Sequence, residues 1–203
     1  MTTDVLDLPE EQRLRLTAMH EAGHAALWHQ AGVRLDKVLV RTATEAEQLG
    51  VRAAGQTIVG AKATIRLGDA LAVAAAGERA EDRWLRESGL WTKARAWVIE
   101  RHAARDRLHA CYSAQDAHAQ LTFGERTGHP YDYTTIQADA DAWLDVVWDG
   151  VRRLADALVH HREVDGFAVP DLLSPAHEGT ATPRRAVRGS LPARGITVRR
   201  RPT

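Results

Sequence analysis

Five consecutive residues, His20-Glu21-Ala22-Gly23-His24, constrain this chain more than any others. Histidines four apart stand on one face of a helix, so both ring nitrogens can reach a single ion. On a helix, H-E-x-x-H is a zinc motif. The flanks predict that helix: Asp7 and Pro9-Glu10-Glu11 form a start signal, and Gly32 supplies a stop after about Gln30. Leu16, His20, Gly23, His24 and Leu27 share one face, which places the histidines in an apolar stripe. Gly23 costs a helix interior about 1 kcal/mol relative to alanine. Close approach of another backbone over the histidine face would explain it, and so would ordinary packing.

A catalytic zinc takes three protein ligands and keeps one position for water. His20 and His24 would supply two. Glu21 follows the first histidine and lies beside the ion, where it can accept a proton from bound water and deliver it to a leaving amine. Cys111 is the only cysteine, so there is no internal disulfide and no cysteine-based zinc site; the remaining ligand must be a histidine or a carboxylate. The rival reading is a helix whose histidines are hydrogen-bonded core residues with no metal.

Further along, residues 35–42 and 56–59 read as an antiparallel strand pair. Residues 55–62 imitate a phosphate-binding loop, but Ala61 separates the second glycine from Lys62 and no Ser or Thr follows the lysine, so no nucleotide site is expected. A helix is predicted over 62–87, apolar all round at 71–76 and therefore buried. Others are predicted over 91–108 and 116–121, then a loop at 124–130. A long final helix over 134–162 presents Ile136, Trp143, Val147, Val151, Leu154 and Leu158 to a core. The fold class is thus mostly α (α+β), with a small two- to three-stranded sheet.

The formal net charge of zero hides an asymmetry. From Ser174 onward seven arginines face the single acid Glu178, so the body carries the opposite excess, and nucleic acid is not an expected partner. Residues 1–173 are expected to form one domain, and residues 174–203 a disordered arginine-rich tail. No apolar run approaches the ~20 residues that span a bilayer, and Asp4, Asp7, Glu10 and Glu11 do not suit a signal peptide. The expected location is the cytoplasm, with no membrane partner.

The extended motif His20-Glu21-Ala22-Gly23-His24-Ala25-Ala26-Leu27 resembles the active-site helix of the FtsH-type zinc metallopeptidases. In that family a helix bearing G-x-x-A-E follows the strands, and Gly77-Glu78-Arg79-Ala80-Glu81 matches it. The resemblance implies a zincin-like peptidase domain over approximately residues 14–165, hydrolysing peptide bonds with zinc as cofactor. It also implies a carboxylate at Glu81 that orients a ligand histidine, and an aspartate as third ligand. Ser113-Ala114-Gln115-Asp116-Ala117-His118-Ala119 has the small or polar residue before the aspartate and the alanine three after it, which makes Asp116 the expected ligand; Asp106, Asp132 and His118 are its rivals. The interval from Glu81 to Asp116 is longer than the family suggests, as if a helix were inserted.

Zincin-type enzymes receive an extended substrate along a strand edge beside the metal helix, and the same is expected here. With neither a phosphate-binding loop nor a membrane span in this sequence, the expected substrates are flexible or unfolded polypeptides, with a homo-oligomer or a separate ATPase as possible partners. The alternative from another class is a regulatory or binding protein that keeps the zincin scaffold without proteolysis.

Overall fold

The computed structural model describes residues 6–51, 54–60, 63–124, 129, 131–174 and 195–198. At its centre α1 (Glu10–Gln30) crosses α3 (Leu67–Glu87) at very close range. A side-chain carbon on Gly23 would fall 2.7 Å from the carbonyl oxygen of Ala76 and 2.9 Å from the Cβ of Ala80. Gly23 is therefore a contact glycine, and the small residues around it carry the same logic: Ala22, Ala25 and Ala26 are fully buried on α1, as are Ala75, Ala76 and Ala80 on α3.

The expected α1 is amphipathic, with one apolar stripe. The observed helix is buried continuously over residues 21–27, because α3, the long α6 (Tyr133–His161), β1 (Leu35–Val40) and β2 (Gly55–Val59) all pack on it. α6 buries Ile136, Val147, Val151, Leu154 and Leu158 as its periodicity predicts, together with Leu144 and Trp148. Trp143 packs only partly buried against the same core.

The expected antiparallel pair is present, with Val38 opposite Thr57 and Val40 opposite Gly55. A short β4 (Glu163–Asp165) adds to the other side of β1, so the sheet order is β2-β1-β4 and β2 is an edge strand. β1 is continued by a six-residue α2 (Ala43–Gln48), which Thr42 and Glu45 close with a reciprocal capping box. The molecule is mostly helical with a small antiparallel sheet, as its sequence predicts.

Three boundaries differ. The helix predicted over 62–87 begins only at Leu67, because Ala63–Arg66 forms strand β3, whose Ile65 is buried between exposed Thr64 and Arg66. Arg66 then turns the chain into α3 by gripping Asp69 through both nitrogens at 2.8 and 3.0 Å. The single helix predicted over 91–108 is two, α4 (Lys93–His102) and α5 (Ala104–Asp116), which meet at the fully buried Ala103. No helix forms over the expected 116–121: α5 ends at Asp116, and His118 follows with a left-handed φ of 52°.

The third difference lies in the tail. Within the 174–203 segment expected to be disordered, Gly195–Val198 forms β5, paired antiparallel with β3, and Ile196 is buried in the main core. Residues 175–194 and 199–203 lie outside the described residues, as do five of the seven positions expected to form the 124–130 loop, 125–128 and 130. A short α7 (Val169–Leu173) docks Val169 and Leu173 against the body, whereas Phe167 stays exposed. Among the described residues no helix is long and apolar enough to cross a membrane.

If β3 depends on β5, then Ile196→Asp, which places a carboxylate in an apolar site, will speed amide hydrogen exchange across Ala63–Arg66. Unchanged exchange there would show that β3 holds without it.

Candidate metal centre

The His20 and His24 rings project from α1 towards α3 and the first turn of α5, and their Nε2 atoms lie 3.0 Å apart. The nearest carboxylate oxygen is Oδ2 of Asp106, 3.3 Å from His20 Nε2 and 3.5 Å from His24 Nε2. Four-coordinate tetrahedral zinc with bonds of about 2.0–2.1 Å separates its ligand atoms by about 3.3 Å. The three edges observed here bracket that value.

Each ring's other nitrogen fixes which atom faces the centre. His24 Nδ1 lies 2.8 Å from the carbonyl oxygen of Val73, which can only accept, so Nδ1 carries the hydrogen. His20 Nδ1 approaches Oε2 of Glu81 at 3.3 Å, and the same reasoning turns its proton towards the carboxylate. In the neutral rings both Nε2 atoms then bring lone pairs to the carboxylate of Asp106. Three electron-pair donors with no hydrogen among them repel one another unless a cation, either a proton or a metal ion, stands between them.

The electrostatics agree. Burial disfavours the charged form of both imidazoles, but the carboxylates around them outweigh it and raise both above the ordinary histidine range: chiefly Glu81 for His20 and Asp106 for His24. Burial likewise works against ionised Asp106, yet His24 and His20 hold it well below the usual carboxylate range. Asp106 also sits in the first turn of α5, where the helix dipole favours an anion. The pocket is built to hold positive charge.

Two glycines make room for it. A Cβ on Gly77 would lie 2.5 Å from His20 Cε1 and 2.6 Å from His24 Nε2, filling the space the rings use. A Cβ on Gly55, at the start of β2, would lie 2.5 Å from Glu21 Oε1. Glu21 itself is buried beneath β2, where Thr57 donates to its Oε2 at 2.7 Å and also reaches its backbone oxygen at 3.1 Å. Burial raises the Glu21 carboxyl, and the two histidines and Thr57 oppose that shift. A group held so, next to the centre, suits proton transfer.

The structure brings His20, Glu21, His24 and Glu81 together, and the aspartate beside the two imidazoles is Asp106, not the expected Asp116. Asp116 is exposed at the far end of α5, ten residues beyond Asp106 and therefore about 15 Å along the helix. The rival Asp132 is fully buried but caps α6, accepting from the backbone and hydroxyl of Thr134 and from Thr122. His118 is exposed past the end of α5. The overlong interval from Glu81 to Asp116 was the signal for the shorter choice. Nothing in the sequence pattern marked Thr57 or Gly55, which lie in the stretch that imitates a phosphate-binding loop.

No protein-family model matches this chain, and no curated protein is significantly similar to it.

Gly77→Ala should lower the urea midpoint even though alanine is the better helix former by about 1 kcal/mol, because the added methyl must push α3 away from both imidazoles. An unchanged or raised midpoint would contradict the close packing of Gly77 on the rings.

Proposed function

We propose that this protein is a zinc-dependent metallopeptidase of the FtsH type, hydrolysing peptide bonds in flexible or unfolded polypeptides. The observation that carries the reading is the convergence of His20 Nε2, His24 Nε2 and Asp106 Oδ2 at the spacing of a tetrahedral zinc site, with Glu21 alongside. His20, His24 and Asp106 would hold the ion. Bound there, zinc would lower the pKa of a water towards about 7 and polarise a scissile carbonyl.

The chain's own residues do the rest. Glu21 takes the proton from the attacking water and passes it to the amine as the peptide bond breaks. Thr57 fixes the carboxylate in place, and burial, by raising it, brings its proton affinity closer to that of a group that must both take and give. Glu81 and the carbonyl of Val73 keep the two imidazoles in the tautomer that presents Nε2. β2 runs along the metal helix as an edge strand, so an extended polypeptide can add to it through backbone hydrogen bonds and bring a carbonyl to the centre.

Purified protein should contain one zinc, lost on His20→Ala or Asp106→Asn and retained on Asp116→Asn, measured by elemental analysis after dialysis. Retention in Asp106→Asn with loss in Asp116→Asn would reverse the ligand assignment.

Glu21→Gln should keep the zinc and lose about 10²–10⁴-fold in cleavage of an unfolded casein or a diverse peptide library. Undiminished cleavage would remove Glu21 from the chemistry, and a zinc-loaded wild type that cleaves nothing would favour a binding protein on a peptidase scaffold.

Thr57→Val removes one hydrogen bond to a charged group, about 1.5–3 kcal/mol. With zinc content unchanged, kcat should fall roughly ten- to a hundredfold and KM should barely move. A change confined to KM would assign Thr57 to substrate binding instead.

A further inference from the structure

α5 carries Asp106, yet it presents only Ala110 and Ala114 as buried residues, and side chains that small do little to fix its rotation against α3. A polar anchor does reach across to α3. Arg107, next to Asp106, places Nη2 at 2.8 Å and Nε at 3.2 Å from Oε2 of Glu78 on α3. The other oxygen of Glu78 accepts from Gln137 of α6 at 2.6 Å. Glu78 is almost fully buried and divides its two oxygens between two helices. It also follows Gly77, the residue packed on both imidazoles, and precedes Glu81 by less than one turn. The anchor therefore fixes α5 within one residue of the aspartate and fixes α3 within one residue of the histidine contact.

We propose that Glu78 and Arg107 are positioning residues for the metal centre: their ion pair, braced by Gln137, sets the rotation of α5 that turns Asp106 towards His20 and His24. This rests on the zinc reading of the site. Without the pair, α5 keeps its helix but Asp106 is no longer held at the third corner, and a two-histidine site binds the ion far more weakly. Outer residues that orient ligands are worth about 10–100-fold in metal affinity.

The test is zinc affinity of the full chain, measured by competition with a chromophoric chelator, with helical circular dichroism and urea unfolding of the metal-free protein alongside. Arg107→Met and Glu78→Gln should each weaken zinc binding about tenfold or more while the helical signal is kept, and Arg107→Lys, which retains one donor for Glu78, should recover part of the loss. Arg79→Met, which removes the α3–α6 ion pair with Asp141 at 2.8 Å, should lower stability and leave zinc affinity unchanged. If Arg107→Met does not fold, the milder Glu78→Gln carries the test. Wild-type affinity in the variant that carries the test, or an equal loss in Arg79→Met, would overturn the positioning role alone. A wild-type chain that binds no zinc would overturn the zinc reading and this proposal with it.

Discussion

The approach of α1 to α3 is the constraint on which the rest of the structure depends. Two helices can share one small polar centre only if their backbones come closer than ordinary side chains allow, and Gly23 and Gly77 provide that on facing surfaces. Gly23 admits the backbone of α3 at Ala76, and Gly77 admits the imidazoles of His20 and His24. The alanines around both glycines extend the close contact, so α1 is enclosed on all sides over residues 21–27. Such a helix derives little from its own amphipathicity and much from what encloses it.

Enclosure brings an electrostatic problem. His20, Glu21, His24, Glu81 and Asp106 sit together in or near the interior, and each would resist being charged alone. Their mutual arrangement resolves this in part: carboxylates raise the imidazoles, imidazoles lower Asp106, and Thr57 supports Glu21. What is left is a triangle of donor atoms that calls for positive charge. Oε2 of Glu81 is buried, with His20 Nδ1 3.3 Å away as its charged neighbour.

Much of this was legible in the sequence, and for physical reasons. The four-residue histidine spacing and the helix signals around it locate α1, alternation and β-branching locate β1 and β2, and long periodicity locates α6. The failures come where local pattern and tertiary demand part. Ala63–Arg66 has too little pattern to separate it from the helix that follows, and pairs with β5 as a strand. Asp116 has the neighbours expected of a ligand, but neighbours in sequence do not say which turn of a helix faces the centre. Asp106 does face it, because α4 and α5 break at Ala103 and Arg107 ties the new helix to Glu78. Thr57 and Gly55 act only through the fold, which lays β2 across Glu21.

The claim at the centre of this account is that three side chains converge to hold one zinc ion. Anomalous scattering from crystals grown with zinc, recorded on either side of its absorption edge, tests that claim most directly. The account predicts one strong peak bonded to Nε2 of His20, Nε2 of His24 and a carboxylate oxygen of Asp106 at about 2.0–2.2 Å. No peak at that place in zinc-grown crystals, with the two imidazoles instead sharing a proton across Asp106, would contradict it.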